Sequence, residues 1–172
     1  MPAEPAEWAD GERVYLFGAE GRLHCLKAAD GALVWKRDTT AEYGVQQNFF
    51  GVGSTPLVEG DLLLVQVGGS PPDSPGIQSG ETRPNGSALV AFDKKTGALK
   101  YKLGDDLASY ASPMTATIAG RRWGFLFSRS GLIGFDPASG KPDFAYPWRA
   151  RILESVNASN PDSFIDSGNP QA

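Results

Sequence analysis

Cys25-Leu-Lys-Ala-Ala-Asp-Gly-Ala-Leu-Val-Trp35, Ala91-Phe-Asp-Lys-Lys-Thr-Gly-Ala-Leu-Lys-Tyr101 and Gly134-Phe-Asp-Pro-Ala-Ser-Gly-Lys-Pro-Asp-Phe144 are one phrase written three times with identical spacing. Each opens on a small residue followed by an apolar one, passes through a polar turn closing on a glycine (Gly31, Gly97, Gly140), and ends on a large ring four residues later. This pattern reads as a strand, a tight turn and a second strand, with the glycine supplying the positive φ that side chains resist. Asp93 and Asp136 occupy the turn position from which a carboxylate accepts hydrogen bonds from nearby backbone amides.

Upstream of each phrase lies another matched stretch. Residues 9–21, 58–69 and 118–131 each run from a glycine turn through an apolar strand to a second glycine, the signature of a hairpin. Ser54-Thr-Pro-Leu and Ser112-Pro-Met-Thr precede the second and third units, where proline sets an extended approach to an innermost strand. The order within a unit is thus inner strand, two middle strands, outer strand. The glycines at 31, 97 and 140 are unevenly spaced because residues 70–86, rich in Pro, Ser and Gly, form an insert in the second unit, read as an exposed loop. A self-similarity of this period marks a propeller or solenoid.

The pattern Ala-x-Asp-x-x-Thr-Gly-x-x-x-Trp resembles the blade signature of the PQQ-like β-propeller family, shared by quinoprotein dehydrogenases and by a non-quinone-binding outer-membrane assembly lipoprotein. The resemblance covers roughly residues 9–148, with Trp35 keeping the family's ring and Tyr101 and Phe144 replacing it. It implies an all-β fold of four-stranded antiparallel blades, about three of them, in which each ring docks on the neighbouring blade. The predicted organisation is a propeller portion over 1–161, with blades near 6–38, 54–104 and 112–148 and the start of a fourth at 155–161, then a polar tail at 162–172. Three blades leave two flanks unpaired, so the chain is expected to be part of a larger ring or to self-associate through its open blade edges.

Charge and composition narrow the function. Sixteen basic and twenty acidic residues give a net charge of −4 with no basic run, which speaks against nucleic acid. No apolar stretch is long enough to span a membrane as a helix, and no signal peptide opens the chain; a periplasmic or secreted parent is implied only by the resemblance. Cofactor-binding relatives are similar in using adjacent cysteines over the quinone, a stacking Trp and a calcium held by Glu, Asn and Asp. This chain has a single cysteine, Cys25, beside a single histidine, His24, so neither a quinone, a metal nor a catalytic residue is assigned.

The favoured class is a non-catalytic scaffold in the cell envelope, binding a protein or a small ligand. The alternative is a piece of a quinoprotein-like oxidoreductase whose cofactor site lies in other blades. In propellers the loops joining an outer strand to the next inner strand gather at one mouth, and here these loops span 43–51, 105–111 and 149–157. Gln47, Asn48, Tyr110, Arg151, Glu154 and Asn157 are the candidate binding residues. Asp105-Asp106 reads as a structural pair and not as acid/base machinery.

Overall fold

The computed structural model describes residues 9–46, 51–76 and 81–148. They form three antiparallel sheets. The first holds β1 (Arg13–Phe17), β2 (Arg22–Lys27) and β3 (Leu33–Asp38); the second β4 (Leu57–Glu59), β5 (Leu62–Gln66), β6 (Leu89–Asp93) and β7 (Leu99–Leu103); the third β8 (Met114–Ile118), β9 (Arg121–Ser128), β10 (Gly131–Phe135) and β11 (Pro142–Pro147). Within each sheet the strands neighbour one another in chain order. These meanders are blades of a partial β-propeller, and the fold is all-β apart from one helical turn.

Two details differ from the expected pattern. The first sheet has three strands among the described residues, and Ala9, bridging to Val14, stands where its inner strand would end. The residues before Ala9, like the predicted fourth-blade start and tail, lie outside the described residues. The second difference is α1 (Thr39–Tyr43), between β3 and β4. Its cause is local: the Asp38 carboxylate accepts from the Ala41 amide at 3.0 Å, and Gly44 ends the turn at φ +66°.

The core lies between the sheets. Tyr15, Leu23 and Cys25 of the first pack on Leu63, Val65, Val90 and Phe92 of the second. The opposite face of the second sheet, with Leu64, Leu89, Ala91 and Leu103, packs on Leu126 and Phe135 of the third. A sheet covered on both faces needs apolar residues at successive positions, which explains the unbroken runs Leu62-Leu-Leu-Val and Leu89-Val-Ala-Phe. At the outer end β11 is exposed along its whole length.

The insert in the second blade is pinned at its described ends, while Pro72, Asp73, Gly76, Glu81 and Arg83 are exposed, as expected of a loop. At its described ends, the Ser70 amide donates to the Tyr43 carbonyl at 3.0 Å and the Asn85 side-chain amide donates to the same oxygen at 2.8 Å. Gln46 donates to the Pro75 carbonyl at 3.1 Å, and Ser70 and Ser87 are buried. Gly69 lets the chains approach: a Cβ there would meet the Tyr43 side chain at 2.8 Å.

Candidate functional site

Of the six predicted mouth residues, Gln47, Asn48, Arg151, Glu154 and Asn157 lie outside the described residues. Tyr110 is half-buried, its ring beside Gly53, where a Cβ would stand 3.7 Å from the ring's Cδ1. The loop carrying it is a seam between the second and third sheets. Its Ala108 amide donates to Gly68 at 3.2 Å, and Arg129 Nε donates to the Ala108 carbonyl at 2.8 Å. The two aspartates are absorbed by backbone: Asp105 accepts from the Gly86 amide at 2.9 Å and Asp106 from the Ser130 amide at 2.7 Å.

Sequence reasoning missed the buried polar group behind this loop. Gln66 Nε2 donates to Ser109 Oγ at 2.7 Å, and Ser109 Oγ donates to the Phe127 carbonyl at 3.2 Å, linking both sheets to the loop. Gln66 Oε1 is buried without a hydrogen-bond partner among the described residues. The only signal for this group was a glutamine closing the apolar run of β5.

The three repeated turns superimpose by their hydrogen bonds. The amides of Gly31, Gly97 and Gly140 donate to the carbonyls of Lys27, Asp93 and Asp136 at 2.9, 2.8 and 2.8 Å, with φ of +72°, +73° and +73°. Asp93 accepts from the amides of Lys95 and Thr96 at 3.0 Å each, and Asp136 from those of Ala138 and Ser139 at 2.8 and 3.2 Å. Among the forces on Asp93, burial opposes its charge, but the Thr96 hydroxyl, turn amides and Lys100 outweigh it and hold the carboxyl below its ordinary range.

Onto two of these turns a ring arrives from the preceding sheet. Trp35 on β3 donates its indole N–H to the Lys94 carbonyl at 3.1 Å and lies over Gly97, where a Cβ would be 2.9 Å from the ring. Tyr101 on β7 donates to the Pro137 carbonyl at 2.7 Å and lies over Gly140, so closely that a Cβ there would stand inside contact with it. Burial, then the charges of Asp136 and Glu59, push the Tyr101 hydroxyl above its ordinary range, keeping it a donor.

The register explains the small first residue of the phrase. Cys25, Ala91 and Gly134 are the cross-strand partners of Trp35, Tyr101 and Phe144. The Trp35 lock has further members that the motif alone did not reveal. The Tyr15 hydroxyl donates to the Lys94 carbonyl at 3.1 Å and to Asp10 at 3.0 Å, and Arg37 donates to the Gly97 carbonyl at 3.0 Å. Burial raises the Asp10 carboxyl, but the Arg13 amide, the Tyr15 hydroxyl, the Glu12 amide and Lys94 prevail and keep it ionised below its ordinary range. Between the second and third sheets, Glu59 takes Arg122 at 2.9 and 2.5 Å and the Thr115 hydroxyl at 2.8 Å. Arg122 holds Glu59 below its ordinary range, against burial.

Cys25, the one cysteine of the sequence, is fully buried between the first two sheets, where burial pushes its thiol up. Among the described residues no group of three or more His, Cys, Asp or Glu side chains is placed to hold a metal ion.

Repeated antiparallel sheets, stacked face to face and locked by a ring on the next sheet's turn, define a β-propeller built from PQQ-like repeats. The chain belongs to the family described as outer membrane protein assembly factor BamB, whose model matches residues 3–169. Among solved structures it is similar to BamB from Moraxella catarrhalis, at 22% identity and a TM-score of 0.45 over 80% of this chain and 37% of that one. It is also similar to the quinohemoprotein alcohol dehydrogenase from Comamonas testosteroni, at 17% identity and a TM-score of 0.35 over 81% of this chain and 34% of that one. A europium-containing methanol dehydrogenase matches at 15% identity and a TM-score of 0.35 over 81% of this chain and 40% of that one. The chain therefore spans two fifths or less of the length of these structures. No curated protein sequence matches it.

Proposed function

We propose that the chain is a non-catalytic propeller scaffold of the cell envelope that binds a protein partner taking part in outer-membrane protein assembly. The observation that carries this reading is the family match over residues 3–169 to an outer membrane protein assembly factor. The geometry supports it. The repeated aspartates are bound to turn amides, Tyr15, Trp35 and Tyr101 act in packing between sheets, and Cys25 is sealed, so these groups serve rigidity. A stiff framework of this kind presents loops and strand edges at fixed positions, which lowers the ordering cost of binding.

The experiment is site-specific photo-cross-linking in the envelope, with a photoreactive phenylalanine analogue at Tyr110, in the mouth loop, and at exposed Met114 on β8. The expected result is a discrete adduct with a component of outer-membrane protein assembly. Absence of any protein adduct at both positions, together with calorimetric binding of a quinone cofactor by the chain, would overturn the proposal.

A further inference from the structure

The insert between β5 and β6 closes at its base around Asn85. The Asn85 side-chain amide donates to the Tyr43 carbonyl at 2.8 Å, and its Oδ1 accepts from the Ser87 hydroxyl at 2.5 Å. The Ser87 oxygen in turn accepts from the Gly69 amide at 3.0 Å, and the Asn85 backbone amide donates to the Gly69 carbonyl at 3.2 Å. Asn85 thus ties the returning limb of the insert both to its outgoing limb and to the end of α1. The insert springs from the end of the second sheet where Gln66 pairs with Leu89 and Leu89 with Leu103, which is the end that leads into the Tyr110 loop.

The residue after Asn85 is a glycine. With no Cβ to crowd it, a glycine nitrogen can reach the side-chain carbonyl carbon of the asparagine before it, so an Asn-Gly pair favours ring closure. The Gly86 nitrogen forms a bond to Asn85 Cγ, the Cγ–Nδ2 bond breaks, and Nδ2 leaves as ammonia with the proton lost from Gly86. Water then opens the cyclic imide at either carbonyl, leaving an ordinary aspartyl linkage or an isoaspartyl linkage whose main chain is longer by a methylene. In the closed insert both reacting ends are engaged. The leaving amide is bound to Tyr43, and the Gly86 N–H that must be given up donates to Asp105 Oδ1 at 2.9 Å. A carboxylate oxygen at that nitrogen opposes the negative charge the attacking atom must take on.

We propose that Asn85–Gly86 is a deamidation site at which water irreversibly unlatches the insert from α1, and that Asp105 guards it. Reaction and latch use the same atoms: ring closure requires the bonds to Tyr43 and Asp105 to be released first, so it proceeds from the lifted insert. The product does not latch again. An aspartate at position 85 has no side-chain N–H for the Tyr43 carbonyl and sets an oxygen against it, which leaves that carbonyl short of a donor. Asp105, which the sequence offered only as half of a structural pair, is on this reading a positioning residue for the Gly86 amide. The inference stands apart from the envelope-scaffold reading, since it concerns bonds within this chain.

The test is incubation of the full 172-residue chain at mildly alkaline pH, with peptide mass spectrometry reading the amide-to-acid change at Asn85 and the urea-unfolded chain as the unguarded reference. The folded chain is expected to deamidate at least about tenfold more slowly than the unfolded one, and Asp105→Ala, its fold checked by circular dichroism, about threefold or more faster than the native chain. Asn85→Asp, which imitates the product, should speed hydrogen exchange at the Ser70 amide, the other donor to Tyr43, about tenfold. A folded chain that deamidates as fast as the unfolded one overturns the inference. So does an Asp105→Ala chain that keeps the native rate, or an Asn85→Asp chain whose Ser70 amide exchanges as it does in the native protein.

Discussion

The turns at Gly31 and Gly97 have the same backbone, the same hydrogen bond from glycine amide to the carbonyl four residues back, and φ values of +72° and +73°. They differ in their surroundings: Gly97 lies under an indole, and Gly31 faces solvent. What the repeated phrase encodes is therefore a turn able to receive a ring, and the stabilisation comes only when a neighbouring sheet supplies one. The same lesson holds for the rings. Trp35 is half-buried with its N–H bonded, whereas Phe144, at the same register, lies in an exposed strand.

The largest break in this comparison is Trp35→Ala. It removes the ring from Gly97, uncovers Cys25 and Tyr15, and leaves the Lys94 carbonyl with one donor fewer, at an expected cost of about 3 kcal/mol. Phe144→Ala in the same urea-unfolding assay, at low protein concentration, should cost about 1 kcal/mol or less, because that ring is already largely in water. Equal losses would show that the ring acts within its own sheet and not as a lock.

Gly97→Val and Gly31→Val sharpen the comparison at the receiving side. Both place a side chain at positive φ, a strain of about 1–2 kcal/mol. Only Gly97→Val also drives atoms into Trp35, so it should lose about 1 kcal/mol more than Gly31→Val in chemical unfolding. A smaller effect is expected from acid. Asp10 and Glu59 titrate below their ordinary values in the folded chain, so the stability they contribute is present above about pH 4 and is lost as pH falls through their folded values. Asp10→Asn should flatten that acid limb in a series of melts from pH 6 to about pH 2.5. The smallest effect belongs to Arg122→Ala, which breaks the pair with Glu59 across the second and third sheets. Arg122 is about half exposed, so screening by solvent limits the loss to about 1 kcal/mol in the same urea assay.

The three turns were legible in the sequence because positive φ demands glycine and a tight turn fixes the distance to the next strand. Strand order followed from the hairpin glycines and the Ser/Thr-Pro segments, after which β4 and β8 begin at Leu57 and Met114. Less was legible where contacts join distant parts of the chain. Nothing in the spacing announced that Tyr15 would share the Lys94 carbonyl with Trp35, since 79 residues separate Tyr15 from that carbonyl. The Gln66–Ser109 pair was equally hidden, one residue ending an apolar run and the other lying in a polar loop. The insert looked exposed from its Pro, Ser and Gly content, yet its ends bond to Tyr43, a contact that composition does not encode. Of the predicted mouth, only Tyr110 falls within the described residues, and it sits in a seam between two sheets.

The most direct test of the central claim, that a ring from one sheet seals the turn of the next, is amide hydrogen exchange by NMR at Gly31, Gly97 and Gly140. The three amides make hydrogen bonds of 2.9, 2.8 and 2.8 Å, and because the Gly31 turn carries Lys27 where the others carry the capping Asp93 and Asp136, Gly97 is also read in the Trp35→Ala chain, which keeps the turn and loses only the ring. The account predicts that Gly97 and Gly140 exchange at least about tenfold more slowly than Gly31, reflecting the additional stability of covered turns. Equal exchange at all three would contradict it.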